Sequence, residues 1–245
     1  MNLESHLNGI EKAIEELMVF HDRTAAPAPI QHQYIGTIID NTVALLMAPA
    51  NSIDGGSRRV TFSENRNWLS LMQAVHRSFF ASIQLATEVG LEQFCKEQSV
   101  CIEARQGRKM LAHVQKIEDS GAAVGDALSS VASLRRHFEA YRPMFSDCLE
   151  AVLSATHLTN KDKKVWRRFF RALSIVRNKA SHSDTSLTEN ERSELGAGGC
   201  APFVAEDGTL IMNPRMYAQV VHFTLQFFDV AYKASASRDT ADGGE

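Results

Sequence analysis

KDKKVWRRFFRALSIVRNKASHSD, Lys161 to Asp184, is the stretch whose reading decides the fold. At about 100° per residue on a helix, Trp166, Phe169, Phe170, Leu173, Val176 and Ala180 fall on one side. This is the i, i+3, i+4, i+7 spacing of a core-facing stripe. Lys161, Lys164, Arg168 and Arg171 fall on the other side, and from Lys161 to His182 eight Lys or Arg stand against one acid, Asp162. One face goes inward and the other is wet. Arg177 breaks the pattern, because its direction lies inside the apolar stripe. A guanidinium there needs an anionic or hydrogen-bonding partner, or must snorkel past the helix end, since an unpaired buried charge costs several kcal/mol, on the order of the penalty for desolvated ions. Asn178 follows it directly, and His182 comes five residues after it, among Ser181, Ser183 and Asp184, which weaken a helix. Five residues set two side chains about 140° apart on an ideal helix. Arg177 and His182 therefore share a site only if the helix loosens near Lys179 to Ser181, or if two chains meet there.

Outward from this segment, helical periodicity dominates. Asn2 caps a first helix reaching about His21, which Ala25-Ala26-Pro27-Ala28-Pro29 ends. A second runs from Gln31 to Met47 and is stopped by Pro49, before the turn-rich Asp54-Gly55-Gly56-Ser57. Residues 1–50 form an N-terminal helical arm that packs on the main body or on a second chain. Ser63 caps the longest helix, Glu64 to Glu97, which carries one stripe of Trp68, Met72, Val75, Phe79, Ile83 and Ala86 and a second sector of Phe80, Leu91 and Cys95. A helix apolar on more than one side is central to its domain. Glu88 lies in the second sector and pairs with Arg177 or is partly solvated.

Shorter helical patterns follow before and after Pro143, and Thr159 caps the basic helix. Thr188-Glu189-Asn190-Glu191 is a capping box, and Gly196, Gly198 and Gly199 end its helix. Phe203 to Met212 has the pattern of a small β-hairpin turning at Asp207-Gly208, and Asn213-Pro214 open a last helix. The expectation is an all-α chain with a main domain over residues 63–235, one β-hairpin near the C-terminus, and a disordered tail over 236–245.

The chain has 245 residues and a net charge of −3, so its overall charge does not point to nucleic acid, while the local basic helix does. Cys95, Cys101, Cys148 and Cys200 lack paired metal-site spacing, and no secretory signal precedes them, which makes reduced thiols and a cytoplasmic location the expectation. The most apolar run, Tyr34 to Ala50, is broken by Asp40 and Asn41 and is too short to span a bilayer, so no membrane partner is expected. No cofactor or metal site is legible in the spacing of carboxylates, His and Cys.

An Arg followed after four residues by a His is a weak string, and Arg108 to His113 matches it too. Context separates Arg177 and His182: a polar Asn after the Arg, a basic amphipathic helix leading in, and helix-weakening residues around the His. Here the chain resembles the HEPN superfamily, all-α domains with an Arg, a polar residue and then a His at the end of a late helix. The resemblance covers roughly Ser63 to Ala234 in organisation, and Arg177, Asn178 and His182 in diagnostic residues.

It implies a HEPN-like helical bundle, RNA as substrate and a homodimer that brings two motifs into one cleft. It also implies a metal-independent endoribonuclease in a stress or antiphage setting, where toxins of this kind can carry a neutralising protein partner. His182 would move the proton of a ribose 2′-OH or of the leaving 5′-oxygen. Arg177 would hold the scissile phosphate, and Asn178 would orient the phosphate or His182. Lys164, Arg168, Arg171 and Lys179 would track the RNA backbone, or else form a solvated face. A non-catalytic domain of the same fold, binding a nucleotide, RNA or a protein, is the competing expectation.

Overall fold

A computed structural model describes residues 3–25, 28–54, 66–121, 126–139, 143–182 and 185–241. Its helices are α1 (Leu3–Met18), α2 (His21–Thr24), α3 (Ile30–Asp54), α4 (Arg66–Glu97), α5 (Arg105–Asp119), α6 (Asp126–Glu139), α7 (Phe145–Ala155), α8 (Asn160–His182), α9 (Glu189–Ala197) and α10 (Arg215–Ala241), with a 3-10 turn at Ala201–Phe203. The described chain is predominantly helical, as its 3.6-residue periodicity requires. No helix among the described residues is long and apolar enough to cross a membrane.

The chain divides into two compact units, Met1–Gly90 with Leu158–Glu245, and Leu91–His157. In the first, α10 is the hub. Tyr217, Val221, Leu225, Phe227, Phe228 and Ala231 are all essentially inaccessible, so α10 is apolar on more than one side. Phe79 of α4 stacks on Tyr217 with ring centroids 4.3 Å apart. Trp166 and Phe170 of α8 meet Phe227 at 5.4 and 4.9 Å, edge to face. α1 packs on both α3 and α10. α1 and α3 thus both pack on α10 of their own chain. Polar ties close the same surface: Arg23 donates to Asp229 at 2.8 Å, His32 stands 3.3 Å from the other carboxylate oxygen, and Gln31 bonds the Tyr232 hydroxyl.

The second unit is leaner. α5 packs on α6, with Arg135 of α6 bound to Glu118 of α5 and, at 2.5 Å, to Gln115. α7 supplies more burial through Cys148, Leu149, Val152 and Leu153, and its first turn is closed by the Met144 backbone N–H donating to Asp147 at 3.0 Å.

One expected helix boundary is corrected. α3 does not stop at Pro49 but continues to Asp54. A proline removes one backbone donor and crowds the preceding turn, at a cost of about 3 kcal/mol, yet the helix can resume beyond it. α10 is described to Ala241. Where the β-hairpin is expected, isolated antiparallel bridges join Val204 with Leu210 and Ser186 with Thr209, and no longer strand is assigned among the described residues. Gly208, at φ +80°, makes the tight turn there, and on either side of it the Ala205 N–H donates to the Thr209 carbonyl at 2.8 Å and the Ile211 N–H to the Phe203 carbonyl at 2.7 Å. The expected caps Asn2 and Ser63, the loop from Gly55 onward, Ser183, Asp184 and residues 242–245 lie outside the described residues.

Candidate functional site

α8 is built as its sequence dictates. Thr159 caps it, accepting from the Asp162 backbone N–H at 3.2 Å and donating its hydroxyl to the Asp162 carboxylate at 2.7 Å. Trp166, Phe169, Phe170, Leu173, Val176 and Ala180 are all buried, which fixes the rotation of the helix. The opposite face carries its cations outward, with Lys161, Lys164, Arg168 and Arg171 exposed.

The helix stays regular through His182. It does not loosen near Lys179 to Ser181, so Arg177 and His182 remain about 140° apart in direction within one chain. Arg177 is half-buried, and its Nη1 donates to the Asn178 side-chain oxygen at 2.8 Å. Asn178 and His182 are exposed. Arg177 therefore escapes full burial, and the neighbouring amide takes one of its donors. The pairing with Glu88 is not formed: Glu88 is half-buried, and no hydrogen bond or ion pair joins it to Arg177 among the described residues.

The surroundings of the basic face hold what the sequence reading missed. α9 begins with the expected capping box, Glu191 N–H to the Thr188 hydroxyl at 3.2 Å and Thr188 N–H to the Glu191 carboxylate at 2.8 Å. It then lies antiparallel along α8. Glu191 pairs with Lys179 at 3.3 Å and Glu194 pairs with Arg171 at 3.0 Å. At its far end Gly198 faces Ala172 and the Arg168 carbonyl so closely that a Cβ there would lie 2.5 and 2.8 Å away. Of the four cations expected to track a nucleic-acid backbone, Arg171 and Lys179 thus already face carboxylates, while Lys164 and Arg168 are exposed. The Thr188 N–H, followed by its hydroxyl and the Lys179 ammonium, holds the Glu191 carboxyl below the usual range against an opposing desolvation. The alternation of acids in Glu189-Asn190-Glu191-Arg192-Ser193-Glu194, one turn apart and beside a basic helix, was the available signal.

A buried polar contact ties α4 to α10: the Tyr217 hydroxyl and His76 Nδ1 are 2.6 Å apart. Burial pushes His76 down to about 4 and the Tyr217 phenol well above its ordinary value. His76 is therefore neutral near pH 7 and serves the core. His113 and His222 are exposed, and His222 packs its ring edge to face against Phe223. No group of three or more His, Cys, Asp or Glu suited to a metal ion is present among the described residues.

Compared with known proteins, the chain matches no family model, no curated protein and no solved structure.

Proposed function

We propose that the protein is a metal-independent endoribonuclease of the HEPN type that acts as a homodimer. The observation that carries this reading is the end of α8, where an Arg177–Asn178 hydrogen-bonded pair and a solvent-exposed His182 sit on a basic helix clamped by its opposite face to the core. Arg177 keeps donors beyond the one given to Asn178 and grips a phosphodiester in the bidentate manner that guanidinium suits. Charge building on the pentacoordinate phosphorus is stabilised by that grip. His182, an imidazole in solvent, exchanges a proton with the ribose 2′-OH or the leaving 5′-oxygen. Attack by the 2′-oxygen breaks the P–O5′ bond and leaves a 2′,3′-cyclic phosphate and a free 5′-hydroxyl.

Because α8 is continuous, a second chain supplies the His182 that faces each Arg177. The working site is shared across a twofold axis, with RNA as substrate. The test incubates wild type, Arg177→Ala and His182→Ala with mixed-sequence RNA in EDTA and reads cyclic-phosphate ends. Wild type is expected to cleave, with each variant slower by about 100-fold or more, in the range of a lost acid–base or phosphate-binding group. Equal cleavage by all three would remove the assignment.

One observation favours a second reading, a non-catalytic RNA- or protein-binding domain of the same fold. Within a single chain Arg177 and His182 diverge, and two of the four expected backbone-tracking cations are paired internally. A protein that binds RNA in EDTA but yields no new ends in any variant belongs to this class.

A further inference from the structure

We infer that α9 is a built-in competitor for the nucleic-acid phosphates: Glu191 and Glu194 occupy the places over Lys179 and Arg171 that RNA must take to engage the whole basic face of α8. The inference rests on the proposed RNA-binding reading of that face and names its regulation.

The geometry of Glu191 is that of an anion held in readiness. One oxygen, Oε2, receives the Thr188 N–H at 2.8 Å, the Thr188 hydroxyl at 3.0 Å and the Lys179 ammonium at 3.3 Å. A carboxylate oxygen surrounded by a backbone N–H, a hydroxyl and an ammonium resembles a bound phosphate oxygen. Lys179 and Glu191 are also the more enclosed pair, with side-chain exposures of 15% and 27%. Glu194 meets Arg171 one helical turn further along, where Arg171 is 60% exposed and within reach of solvent.

The attachment of α9 is firm at both ends and light between. The capping box fixes its start, Gly198 seats its end on Ala172 and the Arg168 carbonyl, and Leu195 is the residue within α9 that is buried. Lys164 and Arg168, exposed on the face of α8, give an incoming strand its first contacts. Continuing along the helix, the strand meets Arg171 and Lys179 and must exchange its phosphates for the two carboxylates. Ion pairs near a surface are worth little, so the competition is a brake of modest strength and not a lock.

The test measures binding apart from cleavage, using a fluorescent single-stranded 2′-O-methyl oligoribonucleotide, which lacks the attacking hydroxyl. Its anisotropy is followed against salt concentration for full-length wild type, for Glu191→Gln/Glu194→Gln, and for Glu189→Gln. Glutamine preserves the capping box, since its carbonyl can accept from the Thr188 N–H, and an unchanged helical circular dichroism spectrum certifies the fold. Glu189, exposed on the same helix, controls for the loss of one negative charge.

The double variant is expected to bind roughly four- to ninefold tighter at low salt, two- to threefold per released cation. Its log–log salt dependence should steepen by about 1.4, at about 0.7 per added phosphate contact on a single strand. Glu189→Gln should track wild type. Lys164→Ala and Arg168→Ala, measured alongside, separate the two ways of failing. If they weaken binding while the double variant matches wild type in affinity and slope, α9 is no competitor. If they change nothing, or no protein binds the probe, the RNA-binding face itself is wrong, and this inference falls with it.

Discussion

Two helices of this chain carry an Arg and a His five residues apart, and they differ in everything else. On α5, Arg108 is exposed and paired with Glu103, His113 is exposed, and Val114 is the described side chain between them and the helix end that is buried. On α8, six apolar side chains lock the helix against its neighbours, so the rotation at which Arg177 and His182 are displayed is set by the core. The same string is therefore incidental in one place and positioned in the other. A pair of side chains becomes a site when packing behind it fixes where it points.

The comparison is broken most sharply by activity. Arg108→Ala and His113→Ala should cleave RNA within about twofold of wild type, while the corresponding changes on α8 cost about 100-fold or more. An equal loss from the α5 variants would show that the supporting core does not distinguish the two strings.

Stability sharpens it next. Phe170→Ala removes a fully buried ring from α8 and should cost about 3–5 kcal/mol in urea unfolding. Val114→Ala on α5 removes two buried methyl groups and should cost about 1–2 kcal/mol, at about 0.8 kcal/mol each. Comparable losses at both positions would mean that α5 is as well braced as α8.

A pH-dependent effect concerns the buried His76–Tyr217 contact between α4 and α10. His76 is depressed to about 4 in the folded chain by burial, against an ordinary 6.5. The unfolded chain therefore binds the proton more readily between those values, and stability should fall as pH drops from 6.5 toward 4 and level off below. The full loss is about 3 kcal/mol at most, at 1.36 kcal/mol per pKa unit. Urea midpoints across this range should slope for wild type and flatten for His76→Gln. An unchanged slope would assign the acid sensitivity to other groups.

Much of the molecule was legible in the sequence, because the signals that fix it are local. The apolar stripe of α8, the Thr159 cap, the Thr188–Glu191 capping box and the start of α10 at Asn213 follow from side chains within a few residues of each other. What escaped depends on distant partners. The hub turned out to be α10 rather than α4 alone, since only assembly decides which apolar helix is surrounded. Pro49 sits inside α3 because the rest of that helix outweighs one missing donor. The pattern at Phe203 to Met212 turns at Asp207-Gly208 but stays at isolated bridges among the described residues, as a short two-stranded ribbon has little stability without a sheet to join. At the site, the anomaly of Arg177 was visible as a charge in an apolar stripe, but its solution was the adjacent Asn178 and not the distant Glu88. The acids of α9 were missed as partners because pairing across helices needs their relative placement, which no spacing within one helix supplies.

On the proposed reading, Arg177 and His182 of the continuous α8 meet only across two chains. Its most direct test co-expresses Arg177→Ala and His182→Ala subunits with distinct tags, purifies the mixed dimer, and measures RNA cleavage in EDTA. Each parent alone should be inactive, while the mixed dimer retains one intact site with Arg177 and His182 from opposite chains and recovers about half of the wild-type rate. A mixed dimer as inactive as its parents, or parents that cleave as wild type does, would contradict the shared site.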